Sequence, residues 1–167
     1  MGLYNYSIKP GAKDATAQGH DWDASYKDLS NVCRTIKRKS VTQTRKILDE
    51  ALSKKKAIPY TFHNKGTGHR SELGGKKGRY PQKECRLLRN LLENAVSNAM
   101  QKGLDESKLY VKHAAANKLR THKRYRRFWA TSVTLGYGKQ AVWANYQTCR
   151  AEIIISEREQ KTKTSKK

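Results

Sequence analysis

Between Ser107 and Ala151 the chain carries no Asp or Glu, yet it holds ten Lys or Arg: Lys108, Lys112, Lys118, Arg120, Lys123, Arg124, Arg126, Arg127, Lys139 and Arg150. Tyr110, Tyr125, Phe128, Trp129, Tyr137, Trp143 and Tyr146 are threaded among them. Cations at this density repel one another, and no carboxylate within the stretch pairs them. The stretch therefore cannot collapse into a core of its own. Aromatic faces set among charge of one sign suit a polyanion with stackable bases, so RNA is the first partner to consider.

Two segments flank this stretch and read as strands: Leu109 with Val111, and Ile153-Ile154-Ile155. From Lys118 onward the even positions are Lys118, Arg120, His122, Arg124 and Arg126, which a period of two puts on one face of an extended strand. Gly136-Tyr137-Gly138 supplies a turn, and the chain returns through Val142, Asn145 and Tyr146. The pattern predicts a hairpin whose arm of about 17 residues projects roughly 55 Å, at about 3.3 Å per residue. Two isolated strands are marginal in water. Such an arm is either disordered alone or held by an external polyanion.

The charge extends through the chain. Lys and Arg number 36 against 14 Asp and Glu in 167 residues, a formal net charge of +22. Lying among phosphates favours such a chain, because each neutralised phosphate releases condensed counterion. An anionic membrane is the competing partner, but no apolar run approaches the roughly 20 residues of a spanning helix. Gly2 opens a window resembling a myristoylation signal, but Tyr6 stands where Ser or Thr belongs, and no secretory leader is expected. Hydrophobic residues make up 36% of the chain, enough for a small core and low for an enzyme of this size. Cys33, Cys85 and Cys149 form no CxxC, which fits a reducing compartment; Cys33 and Cys85 read as small core residues on helices.

Residues 1–24 are expected to be polar and irregular. A first helix is predicted from Ser25, which forms a capping pair with Asp28; Leu29, Val32, Cys33 and Ile36 follow at helical spacing, and Lys37-Arg38-Lys39 closes it. A second starts near Thr42, with Ile47, Leu48, Ala51 and Leu52 as its apolar stripe, and ends at Lys54-Lys55-Lys56 before Pro59. Residues 60–80 read as a glycine-rich loop carrying Lys65, His69, Arg70, Lys76, Lys77 and Arg79 against the single acid Glu72. A third helix runs from Pro81 to the stop at Gly103, with Leu87, Leu88, Leu91, Leu92, Ala95, Val96, Ala99 and Met100 as its core stripe.

Catalytic chemistry finds little support. His20, His63, His69, His113 and His122 offer acid–base groups, but the basic half has no carboxylate cluster to hold a metal. Asp21 and Asp23, flanking Trp22, put two carboxylates on one strand face, a pair more often solvated than metal-binding. No Walker loop, GxSxG elbow, HExxH or zinc spacing is present. Three classes remain open: a structural RNA-binding protein, an architectural DNA-binding protein and an RNA-processing enzyme.

Several segments, in order, resemble one family: Gly66-Thr67-Gly68-His69-Arg70, Gly78-Arg79-Tyr80-Pro81, Leu91-Leu92-Glu93-Asn94-Ala95 with Asn98-Ala99, and Lys102-Gly103-Leu104-Asp105. Ser25, Lys27, Val32-Cys33-Arg34 and Ile36 extend the match, as do His113-Ala114-Ala115 and Ala151-Glu152-Ile153-Ile154-Ile155. Across residues 4–157 the chain resembles the L-twenty-two family of large-subunit ribosomal proteins, in its archaeal and eukaryotic type (the older eukaryotic L-seventeen). The resemblance implies an α+β fold, with three helices packed on a small antiparallel sheet and a long protruding β-hairpin.

It also implies a non-enzymatic constituent of the large ribosomal subunit in the cytoplasm. Such a protein binds large-subunit rRNA, aids subunit assembly and lines the nascent-peptide exit tunnel with its hairpin. Its partners would be rRNA, neighbouring ribosomal proteins and, transiently, the nascent polypeptide, with no cofactor, metal, membrane or homo-oligomer. The family tip reads approximately Pro-Arg-Ala-x-Gly-Arg-Ala; here Thr134-Leu135-Gly136-Tyr137-Gly138-Lys139-Gln140-Ala141 departs from it and lacks the proline.

The expected organisation is an extension over 1–24, a globular rRNA-binding domain over 25–117 and 147–156, an arm over 118–146 and a basic tail over 157–167. On the globular side Lys65, His69, Arg70, Lys76, Lys77 and Arg79 are expected to bind rRNA. Along the arm Lys118, Arg120, Lys123, Arg124, Arg126 and Arg127 are expected to contact phosphates. Tyr125, Trp129 and Trp143 would stack on bases, with packing across the hairpin as the alternative. Leu135, Gly136, Tyr137, Gly138 and Lys139 are the expected tunnel-lining tip.

Overall fold

The computed structural model describes residues 5–122 and 146–158. In chain order its elements are β1 (Asp14–Trp22), α1 (Tyr26–Ile36), α2 (Val41–Leu52), β2 (Ile58–Pro59), β3 (His69–Arg70), β4 (Lys76–Arg79), α3 (Gln82–Gln101), β5 (Leu109–His122) and β6 (Tyr146–Glu157). The main sheet is antiparallel with order β1-β6-β5. The architecture is α+β, three helices with two three-stranded sheets.

The central strand is the one with a continuous apolar run. Ile153, Ile154 and Ile155 are all buried, as expected of a strand covered on both faces. Cross-strand rows show how the helices fit. Ala15, Ile155 and Val111 form one row, Ala17, Ile153 and Ala114 the next, and Gly19, Ala151 and Ala116 the third. The outer members are mostly small, so helices come close: α3 packs on β1 and β6, and α1 on β5.

β1 corrects the expectation of irregular structure before residue 25. Its alternation is built from Ala15, Ala17 and Gly19 inward against Thr16, Gln18 and His20, a period-two pattern carried by residues too small to register as strand formers. The Trp22 ring folds over Gly19, where an added Cβ would come within 2.0 Å of it.

The helices form for the reasons the sequence suggests. Ser25 Oγ accepts the Asp28 N–H at 3.3 Å and Ser40 Oγ accepts the Gln43 N–H at 3.2 Å, capping α1 and α2. The reciprocal half of the expected Ser25–Asp28 pair is absent: Ser25 N–H donates instead to Glu84 Oε1 of α3 at 3.1 Å. Gly103 closes α3 at φ 73°. Leu88, Leu91, Leu92, Ala95, Val96 and Ala99 are buried and Leu87 partly so. Met100 departs from the expected core role. It sits in the last turn and is 50% exposed, while its neighbour Ala99 is fully buried.

Residues 60–80 are not a plain loop. β2, β4 and β3 make a second small sheet, with a 3-10 turn over Ser71–Leu73 between β3 and β4. Gly78 is required there by close approach: a Cβ would lie 2.9 Å from the Ile58 carbonyl oxygen.

Cys33 and Cys85 are buried on α1 and α3 as expected, and Cys149 is buried on β6; all three are free thiols. Burial raises each thiol pKa, that of Cys85 to about 12 and that of Cys149 to about 11.

Candidate nucleic-acid interface

The acids of the described chain are largely committed to the framework. Arg45 on α2 bridges Glu93 on α3 and Glu106, both at 2.7 Å. Arg89 pairs with Asp49, Lys112 with Asp14, Lys108 with Asp105 and Glu157, and Lys83 with Asp23. The hydrogen bonds from Arg45 hold the Glu93 carboxyl below the usual range. What these pairs leave over is cation.

The basic segment of the small sheet divides into two groups. His69, Arg70 and Arg79 are held by the segment itself. His69 Nδ1 hydrogen-bonds the Gly75 carbonyl, Arg70 Nε donates to Gly78 O at 3.2 Å, and Arg79 donates to Gly66 O at 3.3 Å. Arg70 also lies over the Tyr80 ring at 5.1 Å and Arg79 over Tyr60 at 5.9 Å. Lys65, Lys76 and Lys77 form no ion pair with a carboxylate among the described residues. The β3–β4 register sets Arg70 opposite Lys76 and His69 opposite Lys77. Cations directly opposite on an antiparallel pair destabilise it. Glu72, the one acid here, accepts from Tyr80 Oη, and that hydrogen bond lowers its pKa.

At the root of the arm, Lys118 and Arg120 are exposed on β5. They do not follow a strict period of two. Lys118 pairs with Cys149 and Thr121 with Gln147, so β5 carries an extra residue between them. This bulge inverts the alternation, and the expectation that Lys118, Arg120 and His122 share a face by period two is corrected accordingly. The arm residues Lys123, Arg124, Tyr125, Arg126, Arg127, Trp129 and Trp143, and the tip residues Leu135, Gly136, Tyr137, Gly138 and Lys139, lie outside the described residues.

The candidate acid–base groups have framework roles. A register shift between Gly19 and Trp22 removes Asp21 and Asp23 from a shared strand face. Asp21, at φ 51°, accepts from Thr148 Oγ1 at 3.3 Å, and Asp23 meets Lys83 at 3.0 Å. His113 Nε2 hydrogen-bonds Glu152 Oε1 at 3.2 Å, and the same buried carboxylate accepts the Ser7 N–H at 3.1 Å. The latter bond ties the N-terminal segment to β6. Among the described residues no cluster of His, Cys, Asp or Glu could hold a metal ion, and no helix is long and apolar enough to cross a membrane.

The structure adds a group that sequence reasoning did not single out. Asn31 on α1 is buried, and its Oδ1 accepts the N–H groups of Thr61 and Phe62 at 3.2 and 3.3 Å. Its Nδ2 donates to Phe62 O at 2.9 Å. Phe62 nevertheless stays 53% exposed, with the Arg34 guanidinium 4.5 Å from its ring centroid. The residues are isolated in sequence, and only the thirty-residue separation closed by Asn31 brings them together.

Comparison with known proteins places this geometry. The family model for Ribosomal protein L22p/L17e matches residues 17–131. The chain is 38% identical over 128 residues to the large ribosomal subunit protein uL22 of Archaeoglobus fulgidus, covering 75% of this chain and 83% of that protein. It is 34% identical over 158 residues to the uL22 of Methanothrix thermoacetophila, covering 94% and 99%. It is 39% identical over 138 residues to that of Sulfurisphaera tokodaii, covering 80% and 83%. With the sheet order, the capped helices and the basic surface all in place, the chain belongs to the L22p/L17e family of ribosomal proteins, in its archaeal and eukaryotic type.

Proposed function

We propose that this protein is a structural, non-enzymatic constituent of the large ribosomal subunit, working in the cytoplasm. Its globular side binds large-subunit rRNA through Lys65, His69, Arg70, Lys76, Lys77 and Arg79, and its arm continues the interface from Lys118 and Arg120 through Lys123, Arg124, Arg126 and Arg127. Tyr125, Trp129 and Trp143 stack on bases, and the tip, Leu135 to Lys139, lines the nascent-peptide exit tunnel. Neighbouring ribosomal proteins and the passing nascent chain complete its partners, and it acts as a single copy.

One observation carries the RNA reading: Arg70 stands directly across from Lys76 in a segment whose one carboxylate, Glu72, is outnumbered by Lys65, Arg70, Lys76, Lys77 and Arg79. Like charges opposed in this way cost stability in the free protein. A phosphate backbone removes that cost and releases counterion as it does so. Family membership supports the assignment to the large subunit, where the relatives carry that name.

The test is co-sedimentation at stated salt with a variant in which Arg124, Arg126 and Arg127 are all changed to Gln. The wild-type protein is expected in large subunits in moderate salt, and the variant is expected to lower subunit yield while its helical core stays folded. Normal yield from the variant, or a wild-type protein absent from large subunits, would overturn the reading.

A further inference from the structure

A groove of about 530 Å³ runs between α1 and β5, beside the loop that follows β2. Arg34, Lys37 and Arg38 line one side, Phe62 stands at its mouth, and the alanines 114–116 of β5 form its floor. No carboxylate lines it, and none of the three cations forms an ion pair among the described residues. We propose that this groove receives one unstacked nucleotide of RNA, its base against the Phe62–Arg34 pair and its phosphate between Lys37 and Arg38. The proposal rests on the RNA-binding reading above and names a subsite within it.

The aromatic platform is built rather than incidental. An exposed phenylalanine on a loop gains nothing in water. Here the buried Asn31 accepts the N–H groups of Thr61 and Phe62 and donates to Phe62 O, which fixes the backbone of these two residues to α1. Tyr60, just upstream, donates to Asp28 Oδ1 at 2.8 Å, which pins the same loop to the same helix. Holding the ring in advance removes the ordering cost that a mobile side chain would bring to binding. Arg34 presents a planar cation at 4.5 Å from the ring, and both surfaces are suited to stacking on any base.

The floor and the inner end fit the same ligand. Beyond the bridge between Ser40 and Tyr110, no described strand pairs the outer edge of β5. Backbone N–H and C=O groups along that edge serve as donors and acceptors for a base, and the alanine methyls leave room for it. His113, also lining the groove, is 7% exposed, and its Nδ1 has no hydrogen-bond partner. Arg38 is held in place at φ 66° by its N–H, which donates to Val111 O at 2.8 Å. The end of α1 is thereby locked beside the strand. A peptide would use the same edge, but a groove with three cations and an aromatic stack favours a base and its phosphate.

The experiment uses large subunits carrying the full-length protein as wild type, Phe62→Leu or Arg34→Gln. Ultraviolet cross-linking and mass spectrometry should place a ribonucleotide adduct on the wild-type peptide that contains Phe62. Chemical probing should find a nucleotide protected in wild-type particles and reactive in both variants. Affinity of the free Phe62→Leu protein for large-subunit rRNA should fall about tenfold, the scale of one base left unstacked. Its thermal unfolding should match wild type, since the ring is exposed. If both variants enter subunits normally and no nucleotide changes reactivity, or if the Phe62 peptide cross-links only to another protein, the groove assignment is wrong while the RNA-binding reading stands. If the wild-type protein is absent from large subunits, both fail together.

Discussion

Glu84, in the first turn of α3, accepts the backbone N–H of Ser25 at 3.1 Å, so the start of α1 is completed by a residue 59 positions away. Glu84 is 7% exposed, whereas Ser25 is exposed, so the bond is part-buried. Replacing Glu84 with Ala removes the charged acceptor of a part-buried hydrogen bond, and the protein should lose about 1–2 kcal/mol in urea unfolding. Glu84→Gln keeps an acceptor and should lose less. Equal losses in the two variants would mean that the hydrogen bond contributes little.

The α3 stripe makes a paired test. Leu92 is fully buried, and Leu92→Ala should cost about 2–5 kcal/mol from lost burial and the cavity left behind. Met100, half exposed, should tolerate Ala within about 0.5 kcal/mol. In hydrogen exchange, amides of the helix interior from 88 to 99 should be among the slowest of the free protein.

Lys76 should respond with opposite signs in two assays. Removing Lys76 relieves its opposition to Arg70, so Lys76→Gln should leave the free protein unchanged or slightly more stable, by a few tenths of a kcal/mol. The same change should weaken rRNA binding and lower the salt slope by roughly one unit for each phosphate no longer neutralised. Lys77→Gln should weaken rRNA binding in the same way. An rRNA affinity indifferent to both changes would remove these lysines from the interface.

Gly78 limits what the small sheet accepts. A Cβ there would approach a backbone oxygen of Ile58, which cannot swing aside as a side chain can. Gly78→Ala should cost about 1–3 kcal/mol, and the loss should appear first as faster exchange at the Tyr60 amide, which donates to Lys77 O across the same sheet.

Asp14 sets an acid limit. Burial tends to raise its pKa, but hydrogen bonds from Lys112, the Gly11 N–H and Ser156 outweigh it and leave the carboxyl below its ordinary 3.8. A depressed folded pKa stabilises the protein above the unfolded value and ceases to do so as pH falls through the folded one. Asp14→Asn should therefore be less stable than wild type at pH near 7, and the gap should narrow as the pH falls below 3.8 and through the depressed folded value. A gap that persists unchanged in acid would attribute the effect to packing instead of charge.

Legibility in the sequence follows the strength of the periodic signals. The three helices are legible because Leu29-Val32-Cys33-Ile36, Leu48-Ala51 and the α3 leucines repeat at helical spacing between recognisable caps. β1 is not, since its inward residues are alanine and glycine, which carry little strand preference. The small sheet hides behind its glycines, with β2 and β3 only two residues long. The bulge after Lys118 cannot be foreseen, because an inserted residue leaves no composition signal. The cations at 65–79 are legible as a cluster, but which of them brace the backbone and which stay unpaired depends on register. Asn31 and Phe62 are invisible as a pair, because a single buried amide reaching a distant loop makes no pattern along the chain.

Among the described strands, the middle one of the main sheet is also the last to be synthesised. β1 is made first and β5 much later, yet both bond to β6 and neither bonds to the other. During translation the helices can form and meet, while the two outer strands wait with open edges for Tyr146–Glu157 to arrive. A chain that stops short of that segment keeps three helices and loses the surface they are meant to cover. Maturation of this protein is thus timed by β6, and until Tyr146–Glu157 has been made the newborn chain stays exposed to proteases and to wrong partners.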